Sequence, residues 1–283
     1  MTAIAIWFND ENPDNPCLWV AGDSRVSQKE KTDTGNDKYS RLIDDAVKIL
    51  TLPVVCKYPD ENRCYSKISH YHTYGYCFAG STLFGQNSFL ALMPLLSNLV
   101  ADQPYTPSME DIAEFISKYL NRVFEEYMNP GSEFEVALFG WCPIQNKYYI
   151  FHYHHHEKDK KGIYFIFKKE IFTDLKKKDF VYLGCDKNNI CLKIQAAFNG
   201  DDIPGRPLSR IPQHIIQDYI QDPNEPKIGG DLQLGIANQY GFKPFSICKP
   251  RVIGKPEAYL SYLGYDLHQD NVGDARVGLT GMS

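Results

Sequence analysis

Met1-Thr2-Ala3-Ile4-Ala5-Ile6-Trp7-Phe8 is the stretch on which the fold of this chain is organised. The run is apolar and contains several β-branched residues, which is typical of a buried strand that begins at the N-terminus itself. Chain termini are usually frayed, so a terminal strand of this kind needs a reason. Thr2 is small enough for the initiator Met1 to be removed, and removal would leave one residue with both a hydroxyl and a free α-amino group. That residue would hold a nucleophile and a base.

The composition restricts the kinds of partner that the chain can bind. Its 283 residues are 43% hydrophobic and 13% aromatic, which is enough for one large core. The formal charge of −5 argues against a nucleic-acid surface, since phosphate binding depends on clustered Lys and Arg. The short basic runs 158–161 and 176–178 stand beside acidic or turn residues, so we interpret them as solvated loops.

Cysteine content and hydropathy bear on the compartment. The eight cysteines show neither Cys-x-x-Cys pairing nor zinc-like spacing, and a chain of this length is not a small disulfide scaffold. The most apolar segment, 89–100, is interrupted by Pro94, Ser97 and Asn98 and is too short to span a bilayer. The N-terminus also lacks a signal-peptide pattern. We therefore expect a cytoplasmic protein with reduced thiols and no membrane contact.

Two charged residues fall at or near expected strands. The apolar run 17–21 closes on Gly22-Asp23-Ser24-Arg25, which predicts a tight turn at a strand end. A polar loop over 27–36 then leads to a strand over 46–52, where Lys48 interrupts the apolar pattern. An unpaired ammonium is unstable when buried. Lys48 therefore either pairs with an acid, for which Asp23 is the nearest candidate at a strand end, or points to solvent from an edge strand.

Strand and helix signals alternate along the rest of the chain. Residues 57–74 predict a loop, and Ser108 with Asp111 predicts the capping box of an amphipathic helix. The remaining predicted strands lie at 76–81, 134–141, 148–153, 163–167, 180–183, 229–236 and 245–248, and the other helices lie at 82–100, after Asp186 and at 208–221. We expect one domain over 1–248 and a tail, 249–283, that packs on it or on a neighbouring subunit.

Histidines alternate along the second strand of the expected hairpin at 134–153. His152, His154 and His156 would share one face of that strand, and alternating histidines can ligate Zn²⁺. The sequence shows no carboxylate or cysteine set of matching spacing nearby. We therefore predict no metal and no cofactor, and we interpret these histidines as part of an exposed hairpin end.

Five short motifs resemble those of the N-terminal-nucleophile hydrolases, specifically the proteasome β-subunits and HslV-type peptidases. In chain order they are Thr2 after a lone Met1, Ala21-Gly22-Asp23-Ser24-Arg25, Val47-Lys48-Ile49, Phe78-Ala79-Gly80-Ser81, and Gly229-Gly230 before an alternating strand. The resemblance covers residues 2–247. It implies an α+β fold class, a four-layer αββα sandwich of two antiparallel sheets, and the order of predicted elements fits that architecture.

The resemblance also implies roles for individual residues. Thr2 is the expected nucleophile, and Asp23 would position Lys48, whose charge lowers the pKa of the hydroxyl and of the amine. The Gly80 N–H would stabilise the oxyanion. Cys185 stands where the family commonly has the serine of Gly-Ser-Gly, and it would orient the terminal amine. The expected substrate-binding residues are Ser27, which would align the substrate backbone, and the pocket residues Val26, Leu50, Phe78 and Thr82.

The function implied by the resemblance is that of a threonine peptidase that becomes active when Met1 is removed. Such a protein would act on peptides or unfolded proteins, would form a ring or stacked homo-oligomer, and would have an ATP-dependent unfoldase as a further partner. Two alternatives stay open. The chain could be a non-catalytic scaffold or regulatory subunit of the same fold, or an amidase that acts on a small amide.

Overall fold

The computed structural model describes residues 2–31, 37–126, 134–156, 166–200, 205–250, 257–267, 271–276 and 281–282. Within these ranges the backbone forms eighteen strands and four α-helices. The strands are β1 (Ala3–Asn9), β2 (Cys17–Asp23), β3 (Val26–Lys31), β4 (Asp37–Ile43), β5 (Ile49–Tyr58), β6 (Lys67–Gly80), β7 (Leu99–Val100), β8 (Phe134–Cys142), β9 (Lys147–His156), β10 (Ile166–Thr173), β11 (Phe180–Gly184), β12 (Leu232–Asn238), β13 (Gly241–Pro250), β14 (Ala258–Tyr262), β15 (Tyr265–Leu267), β16 (Asn271–Val272), β17 (Ala275–Arg276) and β18 (Gly281–Met282). The α-helices are α1 (Thr82–Leu96), α2 (Met109–Glu126), α3 (Lys187–Phe198) and α4 (Ile211–Gln221).

The strands form two large sheets and two small ones. The first has eight strands in the order β11-β1-β2-β12-β13-β14-β15, and β18 pairs with β13 beside that path. The second has six strands in the order β10-β9-β8-β6-β5-β7. The pairs β3 with β4 and β16 with β17 form separate two-stranded sheets.

The N-terminal stretch is an inner strand of the eight-stranded sheet, as its sequence predicts. Ala3 lies opposite Gly184 of β11, and Ile4 lies opposite Gly22 of β2. Both faces of β1 are buried, which explains why its sequence is a nearly continuous apolar run rather than an alternating one. Pairing on both sides also fixes the position of Thr2, the residue that precedes the strand.

Three hydrophobic clusters hold these elements together. One joins Ile4 and Ile6 of β1 to residues of β5, β6 and β8, so the two large sheets pack face to face. A second contains Trp7 of β1 together with side chains of α3 and α4. The third contains side chains of α1 and α2 with those of β6, β8 and β9. Strand β1, which directly follows Thr2, therefore contributes side chains to two of the three clusters.

The helices follow the sequence signals closely. The predicted capping box is present at the start of α2: Ser108 Oγ accepts the Asp111 N–H at 3.1 Å, and Asp111 accepts the Ser108 N–H at 3.1 Å. Helix α1 ends at Leu96, four residues earlier than predicted. At its second turn Gly85 lies so close to the ring of Phe78 that a Cβ atom would collide with it. That close approach fixes α1 against the end of β6.

Two polar stretches predicted as loops contain strands. Much of the predicted loop at 27–36 is occupied by β3, which pairs with β4, and residues 67–74 of the predicted loop at 57–74 belong to β6, a strand of fourteen residues. Strands with water on one or both faces carry many polar residues, and so they lack the apolar pattern by which buried strands are recognised. The strand predicted at 163–167 begins at Ile166; residues 157–165 lie outside the described ranges.

The predicted fold class, an α+β four-layer αββα sandwich of two antiparallel sheets, is wrong in its content and its pairing. Strands dominate the described residues, whereas the helices are only four. Neither large sheet is purely antiparallel, because β7 pairs with β5 in parallel and β18 pairs with β13 in parallel. The unpredicted hairpin β3 to β4 and the strands after residue 250 add further β structure. The architecture is therefore mainly β, with four helices.

None of the described helices is both long enough and apolar enough to cross a membrane.

Residues from the expected tail extend the eight-stranded sheet, since β14 pairs with β13 and β15 pairs with β14.

Candidate functional site

Asp23, the last residue of β2, is fully buried and accepts hydrogen bonds from four groups. Its Oδ1 accepts the Ala3 N–H at 2.9 Å and a proton of Lys48 Nζ at 2.9 Å. Its Oδ2 accepts the Arg25 N–H at 3.2 Å and the Gly229 N–H at 3.3 Å. A buried carboxylate is stable only when its lone pairs are satisfied, and here they are. Asp23 therefore ties the start of β1 to three other segments.

Lys48, one residue before β5, is fully buried against Asp23. Its Nζ also donates to the Arg25 carbonyl at 2.6 Å. Burial lowers the pKa of Lys48, and the charge and hydrogen bond of Asp23 oppose that shift. Of the two interpretations made from the sequence, the pairing with Asp23 is the one found, and the edge-strand lysine pointing to solvent is wrong.

Gly229 and Gly230 lie next to the ion pair of Asp23 and Lys48. The Gly229 carbonyl accepts the N–H groups of Ser24 and Arg25 at 3.2 and 3.0 Å. A Cβ atom on Gly229 would collide with the Arg25 guanidinium, and Gly230 has a positive φ of 73° beside Ser24 and Asp44. A side chain would therefore be strained at Gly230, where the Asp44 carbonyl approaches closely, whereas at Gly229 the neighbour is the flexible end of Arg25.

Cys185 lies on the other side of Thr2. Its N–H donates to the Thr2 carbonyl at 2.9 Å, and its carbonyl accepts the Tyr182 hydroxyl at 2.7 Å. Burial raises the pKa of the Cys185 thiol, and the nearby charge of Asp23 raises it further. The thiol is therefore protonated at neutral pH. Since Thr2 itself is only 2% exposed, the corner is closed around this residue.

The structure joins some of the predicted catalytic residues directly and others through the backbone. Asp23 and Lys48 are in contact. Asp23 accepts the Ala3 N–H and the Cys185 N–H donates to the Thr2 carbonyl, so these two residues bind the two ends of the peptide group that joins Thr2 to Ala3. Gly80 ends β6 with a φ of 91°, and the same strand is tied to Lys48 by the bond from the Phe78 N–H to the Lys48 carbonyl at 3.3 Å. The catalytic roles assigned to these residues stay predictions.

The predicted substrate-binding residues occupy different environments. Val26 and Ser27 begin β3 and are half-buried, as are Leu50 on β5 and Thr82 at the start of α1. Phe78 is 1% exposed and lies in the hydrophobic cluster beneath α1. Their role in binding a substrate also stays a prediction.

Gln233 of β12 supports Lys48 and was missed by the sequence reasoning. Its side-chain oxygen accepts the N–H groups of Lys48 and Ile49 at 3.1 and 3.2 Å, and its Nε2 donates to the carbonyls of Ala46 and Leu263 at 2.6 and 3.0 Å. This fully buried amide fixes the backbone that carries the ammonium. The available signal was one polar residue between Leu232 and Leu234.

A second cluster of titratable residues lies on the edge strand β10 and on its neighbours β9 and β8. His152 Nε2 is 2.7 Å from Glu135 Oε2, and His154 Nε2 is 3.3 Å from Glu170 Oε1. His152 is only 2% exposed, so the interpretation of this region as an exposed hairpin end is wrong for His152. Of the predicted set, the side chain of His156 lies outside the described residues. The sequence reasoning missed the two carboxylates, which strand pairing brings in.

Comparisons with known proteins place the fold but not the activity. No family model and no curated protein matches the chain. Its structure is similar to that of the Anbu complex from Pseudomonas aeruginosa, solved as a helical assembly, with 14% identity, a TM-score of 0.50, and coverage of 96% of this chain and 89% of that chain. Anbu (ancestral beta-subunit) from Yersinia bercovieri is 12% identical, with a TM-score of 0.48 and coverage of 86% and 87%.

These comparisons correct the family named from the sequence. The P. aeruginosa structure is an Anbu complex, whereas the motifs suggested proteasome β-subunits and HslV-type peptidases, so that assignment is wrong. The motifs consist of turn glycines and one buried ion pair, and short features of this kind mark a fold more strongly than they separate families that share it. What the P. aeruginosa structure shows for this chain is the fold.

Proposed function

We propose that the chain is an N-terminal threonine hydrolase that cleaves peptide bonds, with Thr2 as nucleophile once Met1 has been removed. One observation carries the proposal: Asp23 Oδ1 binds both Lys48 Nζ and the Ala3 N–H, each at 2.9 Å. The ammonium is thereby held one carboxylate atom away from the peptide group that follows Thr2. We propose that this buried cation serves a nucleophile at Thr2.

The proposed chemistry uses both functional groups of a terminal threonine. A hydroxyl is a weak nucleophile at neutral pH, whereas the α-amine has an ordinary pKa of about 7.7–8.0 and accepts its proton. The hydroxyl oxygen of Thr2 adds to the substrate carbonyl carbon. The tetrahedral intermediate then expels the amine half of the substrate, which takes up the proton. Water hydrolyses the resulting ester and restores the free threonine.

The neighbouring residues have distinct roles in this scheme. The charge of Lys48 favours the deprotonated hydroxyl and lowers the pKa of the α-amine, and Asp23 fixes the position of that charge. The Gly80 N–H stabilises the oxyanion, a contribution of roughly 3–4 kcal/mol for donors of this kind. The protonated thiol of Cys185 lies on the other side of Thr2 and orients the amine as a weak hydrogen-bond partner.

We propose peptides or unfolded proteins as substrates, aligned along Ser27 and accommodated by Val26, Leu50, Phe78 and Thr82. The P. aeruginosa Anbu complex forms a helical assembly, and we propose that this chain also assembles with copies of itself. An ATP-dependent unfoldase is the partner that folded substrates would require. Sedimentation velocity tests the proposed assembly, and peptide length preference tests the proposed substrate class.

Replacement of the nucleophile tests the proposal. Thr2→Ala should lower turnover of fluorogenic peptides at least about a thousandfold, because the acyl-enzyme can no longer form. Thr2→Ser keeps a hydroxyl and an amine and should keep measurable activity. Both variants should keep the circular dichroism spectrum and melting temperature of the parent. Equal turnover by Thr2→Ala and the parent protein would refute the assignment.

A non-catalytic scaffold subunit is the second candidate, and one observation favours it. Both oxygens of Asp23 are saturated by hydrogen bonds that link β1, β2, the segment before β5 and the Gly229 loop. The same cluster therefore stabilises the fold whether or not Thr2 reacts. This candidate predicts that Thr2→Ala changes neither turnover nor assembly, whereas Asp23→Ala disrupts both folding and assembly.

A further inference from the structure

The two histidines of the edge cluster are brought next to a carboxylate by strand pairing. In the antiparallel pairing of β9 with β10, His152 lies opposite Glu170, and His154 lies opposite Lys168. One ligand atom from each of His152, His154 and Glu170 lies within 4.8 Å of the other two. Two imidazoles and one carboxylate form the three-ligand set of catalytic zinc centres, and ligand atoms around such an ion are separated by about 3–3.5 Å at zinc bond lengths of about 2 Å. Small rotations of the partly exposed His154 and Glu170 side chains would bring the ligand atoms to this separation.

Glu135 completes the arrangement from behind. Its Oε2 is bonded to His152 Nε2, so an ion would take Nδ1 of this ring. A carboxylate that accepts the second N–H of a ligating histidine fixes its tautomer and strengthens it as a ligand. Lys187 Nζ, 3.9 Å from Glu135, balances the charge of this supporting residue.

His152 and Glu170 of the cluster line a cavity. A cavity of about 690 Å³ lies between β10, β11 and α3, and its wall includes His152, Glu170, Lys178 and Lys187. Three protein ligands leave the fourth position of a tetrahedral ion open to this space.

We propose that His152, His154 and Glu170 bind one Zn²⁺ ion, with Glu135 as the supporting carboxylate and the fourth coordination position facing this cavity. Glu170 retains one oxygen for the ion, because both Lys168 Nζ, at 2.8 Å, and His154 Nε2 interact with Oε1. Lys168 competes for the same carboxylate. The site does not use Thr2, so it is independent of the proposed hydrolase activity.

Strand β6 of the same sheet provides a matched control. His70 and His72 have the same two-residue spacing, and their rings lie 6.2 Å apart. Their Nε2 atoms are buried, and the described part of the chain offers them no hydrogen-bond partner. Among the described residues, this pair is not part of any group of three side chains that could hold a metal ion.

Calorimetric titration of the chelator-treated, reduced full chain with Zn²⁺ tests the proposal. We expect one ion per chain, a Kd at least tenfold weaker in Glu170→Gln and in His154→Ala, and an unchanged Kd in the double variant His70→Gln/His72→Gln. Lys168→Ala should tighten binding. Titration with Co²⁺ should give ligand-field absorption without a thiolate charge-transfer band, which separates this site from the eight free cysteines.

Several results would overturn the assignment. They are the absence of stoichiometric binding in the parent chain, equal Kd values in the parent and Glu170→Gln, loss of binding in the His70/His72 control, and a thiolate band with Co²⁺. Glu170 has a 35% exposed side chain on an edge strand, so Glu170→Gln keeps the fold. Circular dichroism checks this for every variant.

Discussion

The corner around Asp23 and the edge around His152 place charged side chains inside the protein in different ways. At the corner, Asp23 and Lys48 are fully buried, and the carboxylate accepts bonds from four donors. At the edge, Glu170 and His154 are partly exposed, and Glu170 lines a cavity. The corner has one arrangement that satisfies its charges, whereas the edge can exchange an internal partner for an ion. The hydrogen bonds of the corner fix the position of the backbone, whereas we propose that the side chains of the edge bind an ion.

The largest expected effect on stability follows from removal of the central carboxylate. Asp23→Ala should lower the free energy of unfolding by about 3–5 kcal/mol, because it strands a buried ammonium and three backbone N–H groups. Urea denaturation monitored by fluorescence measures the change. The control is Asp44→Ala, which removes the partly exposed partner of Arg25 and should cost about 1 kcal/mol or less. Equal effects of the two variants would contradict the contrast between corner and surface.

Removal of the cation should cost less than removal of the acid. Lys48→Met should lower the free energy of unfolding by about 1–3 kcal/mol, since Asp23 keeps the N–H groups of Ala3, Arg25 and Gly229. The same variant should lose peptide hydrolysis if Lys48 acts on Thr2. Denaturation and turnover are measured on one preparation. Full activity in Lys48→Met would show that Lys48 takes no part in the mechanism and that its role is structural.

The histidine pair without carboxylates gives a pH test. Burial, with the charge of His70, lowers the pKa of His72 from 6.5 to about 4. Between these values the unfolded chain binds a proton that the folded chain does not, so the free energy of unfolding should fall as pH falls from about 6.5 to about 4. His72→Phe should flatten this slope. Denaturation curves at a series of pH values measure it, and an unchanged slope would contradict the assignment to His72.

The smallest effect is expected at the edge. Glu170→Gln should change the free energy of unfolding by no more than about 0.5 kcal/mol in the absence of metal, because the residue is a surface ion-pair partner. Zn²⁺ should raise the melting temperature of the parent chain and leave that of Glu170→Gln unchanged, since ligands that bind only the folded state stabilise it. Differential scanning fluorimetry compares the two. Equal shifts in both proteins would place the ion elsewhere.

The sequence predicted the corner more completely than the edge. Asp23, Lys48 and the Gly229-Gly230 pair could be recognised because buried charge and tight turns restrict residue type locally. Glu135 and Glu170 could not be recognised as neighbours of His152, because their approach depends on strand register across β8, β9 and β10. Linear spacing carries no information about that register.

The same reasoning explains the errors in the fold. The N-terminal strand and α2 have apolar patterns that burial imposes, and both were predicted correctly. The hairpin of β3 and β4 and the first half of β6 present polar residues to solvent, and so they lacked that pattern. Pattern reasoning therefore located the interior, and it underestimated how far the sheets extend into the surface.

The central claim is that Thr2, beside the Lys48 and Asp23 pair, is a reactive N-terminal nucleophile. The most direct measurement is the intact mass of the cell-produced protein before and after treatment with a peptide epoxyketone. The account predicts a chain that lacks Met1, one inhibitor adduct on the parent protein, and none on Thr2→Ala. A chain that retains Met1, or a parent protein without an adduct, or an equal adduct on Thr2→Ala, would contradict it.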